Sequence, residues 1–167
     1  MRIIGIDPGT ASTGFGVIDS EAGEDRAVHF GVISTAAGQD LELRLLAIHR
    51  QLGELMDALR PEACAVEELF FGRNTRSAIS VAQARGAALL AAAQHGLRVN
   101  VYRPLQVKQA VASYGGASKD QVQHMVRLLL RLDAVPQPDD AADALAIALC
   151  HAHSSVGLAR LRAAQLA

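Results

Sequence analysis

The first 35 residues restrict the fold more than any other part of the chain. Strand-like runs at 2–7, 14–19 and 27–35 are separated by Pro8-Gly9-Thr10 and by the acidic stretch 21–25, which reads as three consecutive antiparallel strands. A helical period follows at Leu41, Leu45, Ile48, Leu52, Leu55, Met56 and Leu59, with Pro61 just beyond its end. Residues 63–69 then read as a short buried strand, 77–94 as an alanine-rich helix and 98–102 as another strand. Helices are expected at 104–113, 119–132 and 139–152. A meander followed by strand and helix alternation predicts an α/β fold, a mixed sheet with helices on both faces. The 167 residues suit one domain spanning 1–167.

Half of the residues are apolar, 20% are charged and mean hydropathy is +0.18, totals that fit neither intrinsic disorder nor an integral membrane protein. No targeting segment is visible, because Met1-Arg2 leads straight into a strand-like run. Cys64 and Cys150 both lie in apolar surroundings and form no disulfide framework, so a cytoplasmic location is expected.

The net charge of −1 conceals a block pattern. Residues 1–68 hold 12 acids and 5 bases, whereas 69–119 hold 7 bases and no acid. Those bases are Arg73, Arg76, Arg85, Arg98, Arg103, Lys108 and Lys119, a density that suits repeated contact with phosphates or, equally, a solvated surface.

Against this block stand carboxylates at the ends of elements. Asp7 closes an apolar strand and precedes a small-residue turn, where it can bind a hard cation or cap its own turn. Gly9, Gly14 and Gly16 would let a phosphate or metal-bound ligand approach the backbone. Glu67 and Glu68 end a strand and point to opposite faces, so only one can join a given site. Asp139, Asp140 and Asp143 open a helix, more acids than one cap requires, with Asp140 and Asp143 at i, i+3 on one face. Four carboxylates remote in sequence, opposed by a basic block, point to two-metal hydrolysis of a phosphodiester. The six histidines offer no competing ligand set.

Four segments carry a more specific signal: IIGIDPGTASTGFGVI, AVEELFFGRNTRSAISVAQARG, QVKQAVASYGGASKDQVQHMV and PDDAADALAIALCHAH. Through them the chain closely resembles the RuvC family of bacterial Holliday junction resolvases, ribonuclease H-like endonucleases. The resemblance implies paired symmetric nicking of four-way DNA junctions in recombination and repair, with Asp7, Glu67, Asp140 and Asp143 as catalytic metal ligands. It implies two Mg2+ ions per site, replaceable by Mn2+, a homodimer, and the branch-migration proteins RuvA and RuvB as partners. Glu68 and Asp139 fall outside the quartet. Phe70, directly after the strand-end acids, becomes a candidate to stack on bases at the crossover. Lys108 and Lys119, the only lysines, become candidates for contact near the scissile strand, and Arg73 and Arg76 for contact with the DNA backbone. Two other readings stay open: a non-catalytic junction-binding module, and an actin-like or sugar-kinase-type nucleotide-binding domain suggested by Asp7-Pro8-Gly9-Thr10 with Thr13-Gly14.

Overall fold

The computed structural model describes residues 1–69 and 75–165, with side chains described for 1–69 and 78–154. Among the described residues, five strands and five helices follow one another as β1 (Arg2–Asp7), β2 (Ser12–Glu21), β3 (Glu24–Ser34), α1 (Leu41–Leu59), β4 (Ala63–Glu67), α2 (Thr75–Gln94), β5 (Val99–Tyr102), α3 (Pro104–Ala112), α4 (Lys119–Leu129) and α5 (Asp139–Gln165). The sheet order is β3-β2-β1-β4-β5. β1, β2 and β3 form an antiparallel meander, whereas β4 and β5 join β1 in parallel. The mixed sheet expected from the sequence is therefore present.

Alternation along the strands divides the core in two. Ile4, Ile6, Phe15, Val17, Cys64 and Val66 pack against α1 and α2. Ile3, Ile18, Ala63 and Ala65 pack on the other face with α3, α4 and α5. Asp7 continues the parity of Ile3 and Gly5, and Glu67 that of Ala63 and Ala65, so both acids leave the sheet on the α5 side. Helix α5 is apolar almost all round from Ala141 to Cys150 because it is covered on every side.

Its approach to the sheet depends on glycine. A Cβ on Gly5 would stand 2.1 Å from the Ala144 carbonyl oxygen, and one on Gly14 would stand 2.0 Å from that of Asp140. Neither position has room for a side chain, so α5 rests almost backbone to backbone on β1 and β2. This corrects the expectation that Gly14 and Gly16 stay open for a ligand, since Gly16 likewise faces Leu145.

Some boundaries differ from the sequence reading. The β2–β3 hairpin turns at Ala22-Gly23 alone, both at positive φ (54° and 88°), a two-residue geometry that matches strand twist. The charged residues 24–26, read as turn and approach, belong to β3. Helix α4 stops at Leu129 rather than 132, with Arg131 left-handed (φ 53°) and the Leu132 amide bonded back to the Arg127 carbonyl at 2.9 Å. Leu130 still turns into the core, so the apolar pattern outruns the helix. Helix α5 runs to Gln165 rather than 152, because Ser154-Ser155 interrupts the apolar pattern without breaking the helix. Among the described residues, no helix is long and apolar enough to cross a membrane.

Candidate active site

The turn between β1 and β2 is bound from several sides. Buried Thr13 donates to the Gly9 carbonyl at 2.7 Å, and buried Thr10 donates to the Ser80 carbonyl of α2 at 2.7 Å and also meets the Ser80 hydroxyl. The Thr10 carbonyl accepts from the Thr35 hydroxyl, which itself accepts from the Arg44 guanidinium of α1 at 2.8 Å. These bonds fix the turn that follows Asp7 without entering the carboxylate site.

On the α5 face, oxygens of Asp7, Asp140 and Asp143 lie within 4.8 Å of one another. A pocket of about 270 Å³ opens beside them, lined by Asp7, Glu67 and Asp143 together with Lys108 and Lys119. Asp7 and Asp143 thus belong both to the tight trio and to the pocket, whereas Asp140 belongs to the trio and Glu67 to the pocket lining.

Two helix starts deliver the lysines. Pro104 opens α3, and Gln106 accepts from the Arg103 amide at 2.9 Å, placing Lys108 one turn farther on. Ser118 caps α4, accepting from the Gln121 amide while the Gln121 side chain accepts from that of Ser118, so Lys119 is the first helical residue. Lys119 Nζ lies 3.0 Å from Asp143 and 3.3 Å from Asp139.

Burial and mutual repulsion act on these acids together. Burial, then the charges of Asp143, Glu67 and Asp140, push the Asp7 carboxyl up to about 7, with Lys119 opposing. Burial and Asp143 raise Glu67 against the pull of Lys108. Burial also raises Asp143, partly offset by Lys119, while the bonds to Asp143 and Asp139 hold the Lys119 ammonium above its usual range despite desolvation. An all-oxygen donor set in which ionisation of Asp7, Glu67 and Asp143 is opposed suits a hard divalent cation, which would relieve the repulsion.

The neighbouring acids are engaged elsewhere. Glu68 is bonded by the Arg103 guanidinium at 3.0 Å. The Gln123 side chain and then Lys119 hold Asp139 below the usual carboxylate range. His151 Nδ1 shares a hydrogen bond with the Tyr102 hydroxyl at 2.7 Å, and His153 bridges Asp25 and the Ala110 carbonyl, so both ring systems serve packing between elements. Phe70 and Arg73 lie outside the described residues. Arg76 lies in the first turn of α2, and its side chain is outside the described set.

Two polar partners escape the sequence reading. Arg85 of α2 reaches the Glu67 carbonyl at 3.4 Å, and the Ser12 hydroxyl donates to Asp140 Oδ2 at 2.5 Å. Parity puts Ser12 on the strand face of Gly14 and Gly16, but no local pattern indicates that Asp140 is its partner.

Residues 3–151 match the family model for crossover junction endodeoxyribonuclease RuvC. The chain belongs to the RuvC family. A RuvC from Chloroflexus aurantiacus is 54% identical over 160 residues, covering 96% of this chain and 98% of that one. One from Moorella thermoacetica is 55% identical over 152 residues, 91% of each chain. Among solved structures, Thermus thermophilus RuvC in complex with a Holliday junction substrate superposes with a TM-score of 0.88. It is 44% identical, with 93% of this chain and 94% of that chain covered. The nucleotide-binding alternative falls away for a chain so fully matched by RuvC proteins.

Proposed function

We propose that the chain is a crossover junction endodeoxyribonuclease that resolves four-way DNA junctions in recombination and repair by nicking two opposed strands. The observation that carries this reading is the convergence of Asp7, Asp140 and Asp143 beside Glu67 and two lysines, on a chain of the RuvC family. A non-catalytic junction binder would have no use for carboxylates held together against their own repulsion.

Asp7, Glu67, Asp140 and Asp143 form the catalytic quartet and would hold two Mg2+ ions, for which Mn2+ would substitute. When bound, the ions supply an activated water and stabilise the departing oxyanion. Asp7 and Asp143 belong to both the carboxylate trio and the pocket, and with Asp140 and Glu67 they would supply the carboxylate oxygens for the ions. Lys108 and Lys119 line the same pocket and contact the phosphates of the scissile strand. Arg73 and Arg76 contact the DNA backbone farther out, and Phe70 stacks on bases at the crossover.

Paired nicks on a two-fold substrate call for a homodimer. Helix α2 supports this reading: Ala84, Ala88 and Ala91 are buried against α1, but Ile79, Gln83, Gly86 and Leu90 form an outer stripe. Ile79 and Leu90 are each 55% exposed, and nothing lies within 4 Å of the position a Cβ would take on Gly86. RuvA and RuvB are the expected partners in a cytoplasmic setting that suits the buried free thiols of Cys64 and Cys150.

The test is nicking of a labelled four-way junction, with linear duplex as control, in Mg2+ and in EDTA. Asp7→Asn, Glu67→Gln, Asp140→Asn and Asp143→Asn should each lose cleavage by orders of magnitude while retaining junction binding. Glu68→Gln and Asp139→Asn should keep most activity. Near-normal nicking by a quartet variant removes that residue from the site, and nicking in EDTA refutes the metal reading.

A further inference from the structure

We infer that Ser12 is a positioning residue that holds Asp140 in its ligating orientation. This rests on the proposed role of Asp140 as a metal ligand.

The seat of Asp140 is made by the first residues of β2. Gly14 takes its backbone: a Cβ there would collide with the Asp140 carbonyl and come within 3.1 Å of the Asp140 Cβ. Ser12, two residues earlier on the same strand face, takes its side chain through the Oγ–Oδ2 bond. One strand face therefore fixes both ends of a residue 128 positions away in sequence. Among the described residues, Ser12 supplies the one hydroxyl bonded to any of the four carboxylates.

The other acids at the start of α5 are held differently. Lys119 pairs with Asp139 and Asp143 and brings positive charge to them. A hydroxyl brings none, so Ser12 restrains the Asp140 carboxylate without competing for its negative charge. With Oδ2 tethered, the Asp140 carboxylate keeps unused lone pairs for a cation and loses little rotational freedom on binding one. Mg2+ tolerates little departure from octahedral geometry, so restraint of this kind appears in metal affinity. Residues that orient metal ligands typically change that affinity 10- to 100-fold when removed.

The experiment titrates Mn2+ into metal-free protein, by calorimetry or by the electron paramagnetic resonance of free ion, without DNA. Ser12→Ala should bind Mn2+ about 10-fold or more weakly, at a metal-free melting temperature close to the parent's. Ser12→Thr keeps the hydroxyl on a strand that accepts a β-branched residue and should restore affinity to within a few-fold. In cleavage assays Ser12→Ala should need correspondingly more Mg2+ for half-maximal rate, yet approach the parent rate at saturation.

Mn2+ binding by Ser12→Ala within 2-fold of the parent overturns the inference, as does equal weakening in Ser12→Ala and Ser12→Thr. A lower metal-free melting temperature with unchanged Mn2+ affinity also overturns it, because Ser12 then only ties α5 to β2. Asp140→Asn separates the two levels. If it binds Mn2+ as the parent does, the ligand assignment itself has failed; if it loses binding while Ser12→Ala does not, only the role of Ser12 has.

Discussion

Asp7→Asn should abolish cleavage and yet make the metal-free protein more stable. The Asp7 carboxyl is pushed up to about 7 from an ordinary value of 3.8, chiefly by burial and then by three neighbouring acids. In the unfolded chain it ionises at the ordinary value, so the folded protein binds the proton more tightly. Stability from this group is fully present below pH 3.8 and is lost as pH rises to about 7. A shift of about 3 units, at 1.36 kcal/mol each, makes the loss about 4 kcal/mol at most above pH 7. Asparagine carries no charge to desolvate, and salt screens part of the repulsion, so a gain of about 2–4 kcal/mol is expected at pH 8. For a chain of this size that is an increase of roughly 4–16 °C in melting temperature. The assay is thermal and urea unfolding of both proteins in EDTA at pH 4, 6 and 8. The two should differ least at pH 4 and most at pH 8, and saturating Mg2+ should reverse the order by stabilising only the parent. No gain at pH 8, or the same gain at all three values, would refute the electrostatic account.

Lys108→Ala and Lys119→Ala should weaken junction binding and each reduce the log–log salt slope by about 0.9; unchanged slopes place both lysines off the DNA path. Phe70→Ala should cut a fully paired junction poorly and recover on one already opened at its centre, at an unchanged melting temperature. Equal loss on both substrates together with a lower melting temperature would mean a packing role. His153 is raised above its ordinary range, first by its bond to Asp25, and both ring nitrogens face acceptors, Asp25 Oδ2 at 2.9 Å and the Ala110 carbonyl at 3.2 Å. Its stabilising effect is therefore full below about pH 6.5 and lost as pH climbs through the raised value, so His153→Gln should lose more stability at pH 6 than at pH 9.

Local periodicity explains what the sequence made visible. A two-residue repeat puts Asp7 with Ile3 and Gly5, and Glu67 with Ala63 and Ala65, so the faces of both acids are readable without coordinates. The i, i+3 spacing does the same for Asp140 and Asp143. What stayed hidden depends on distant elements meeting. Gly14 looks like room for a ligand until α5 fills it, and nothing near Ser12 in sequence announces a carboxylate 128 residues on. The end of α4 was overshot because Leu130 keeps the apolar pattern after the backbone has turned. The grouping of the quartet, three oxygens close together and Glu67 lining the adjoining pocket, likewise follows from how α5 crosses the sheet, which no one-dimensional pattern records.

The glycine contact between the sheet and α5 gives the molecule two faces of unequal tolerance. Where backbone rests on backbone there is no layer of side chains to absorb an error, so the relative position of Asp7 and Asp140 is gauged by the dimensions of the peptide chain itself. The opposite face is cushioned by Phe15, Ile48, Leu52 and Met56, whose rotamers can readjust. Sequence can drift in that α1 and α2 layer, and an engineer can redesign it for heat resistance, with little displacement of the carboxylates. On the α5 face even one methyl group at Gly5 or Gly14 acts as a wedge under the site.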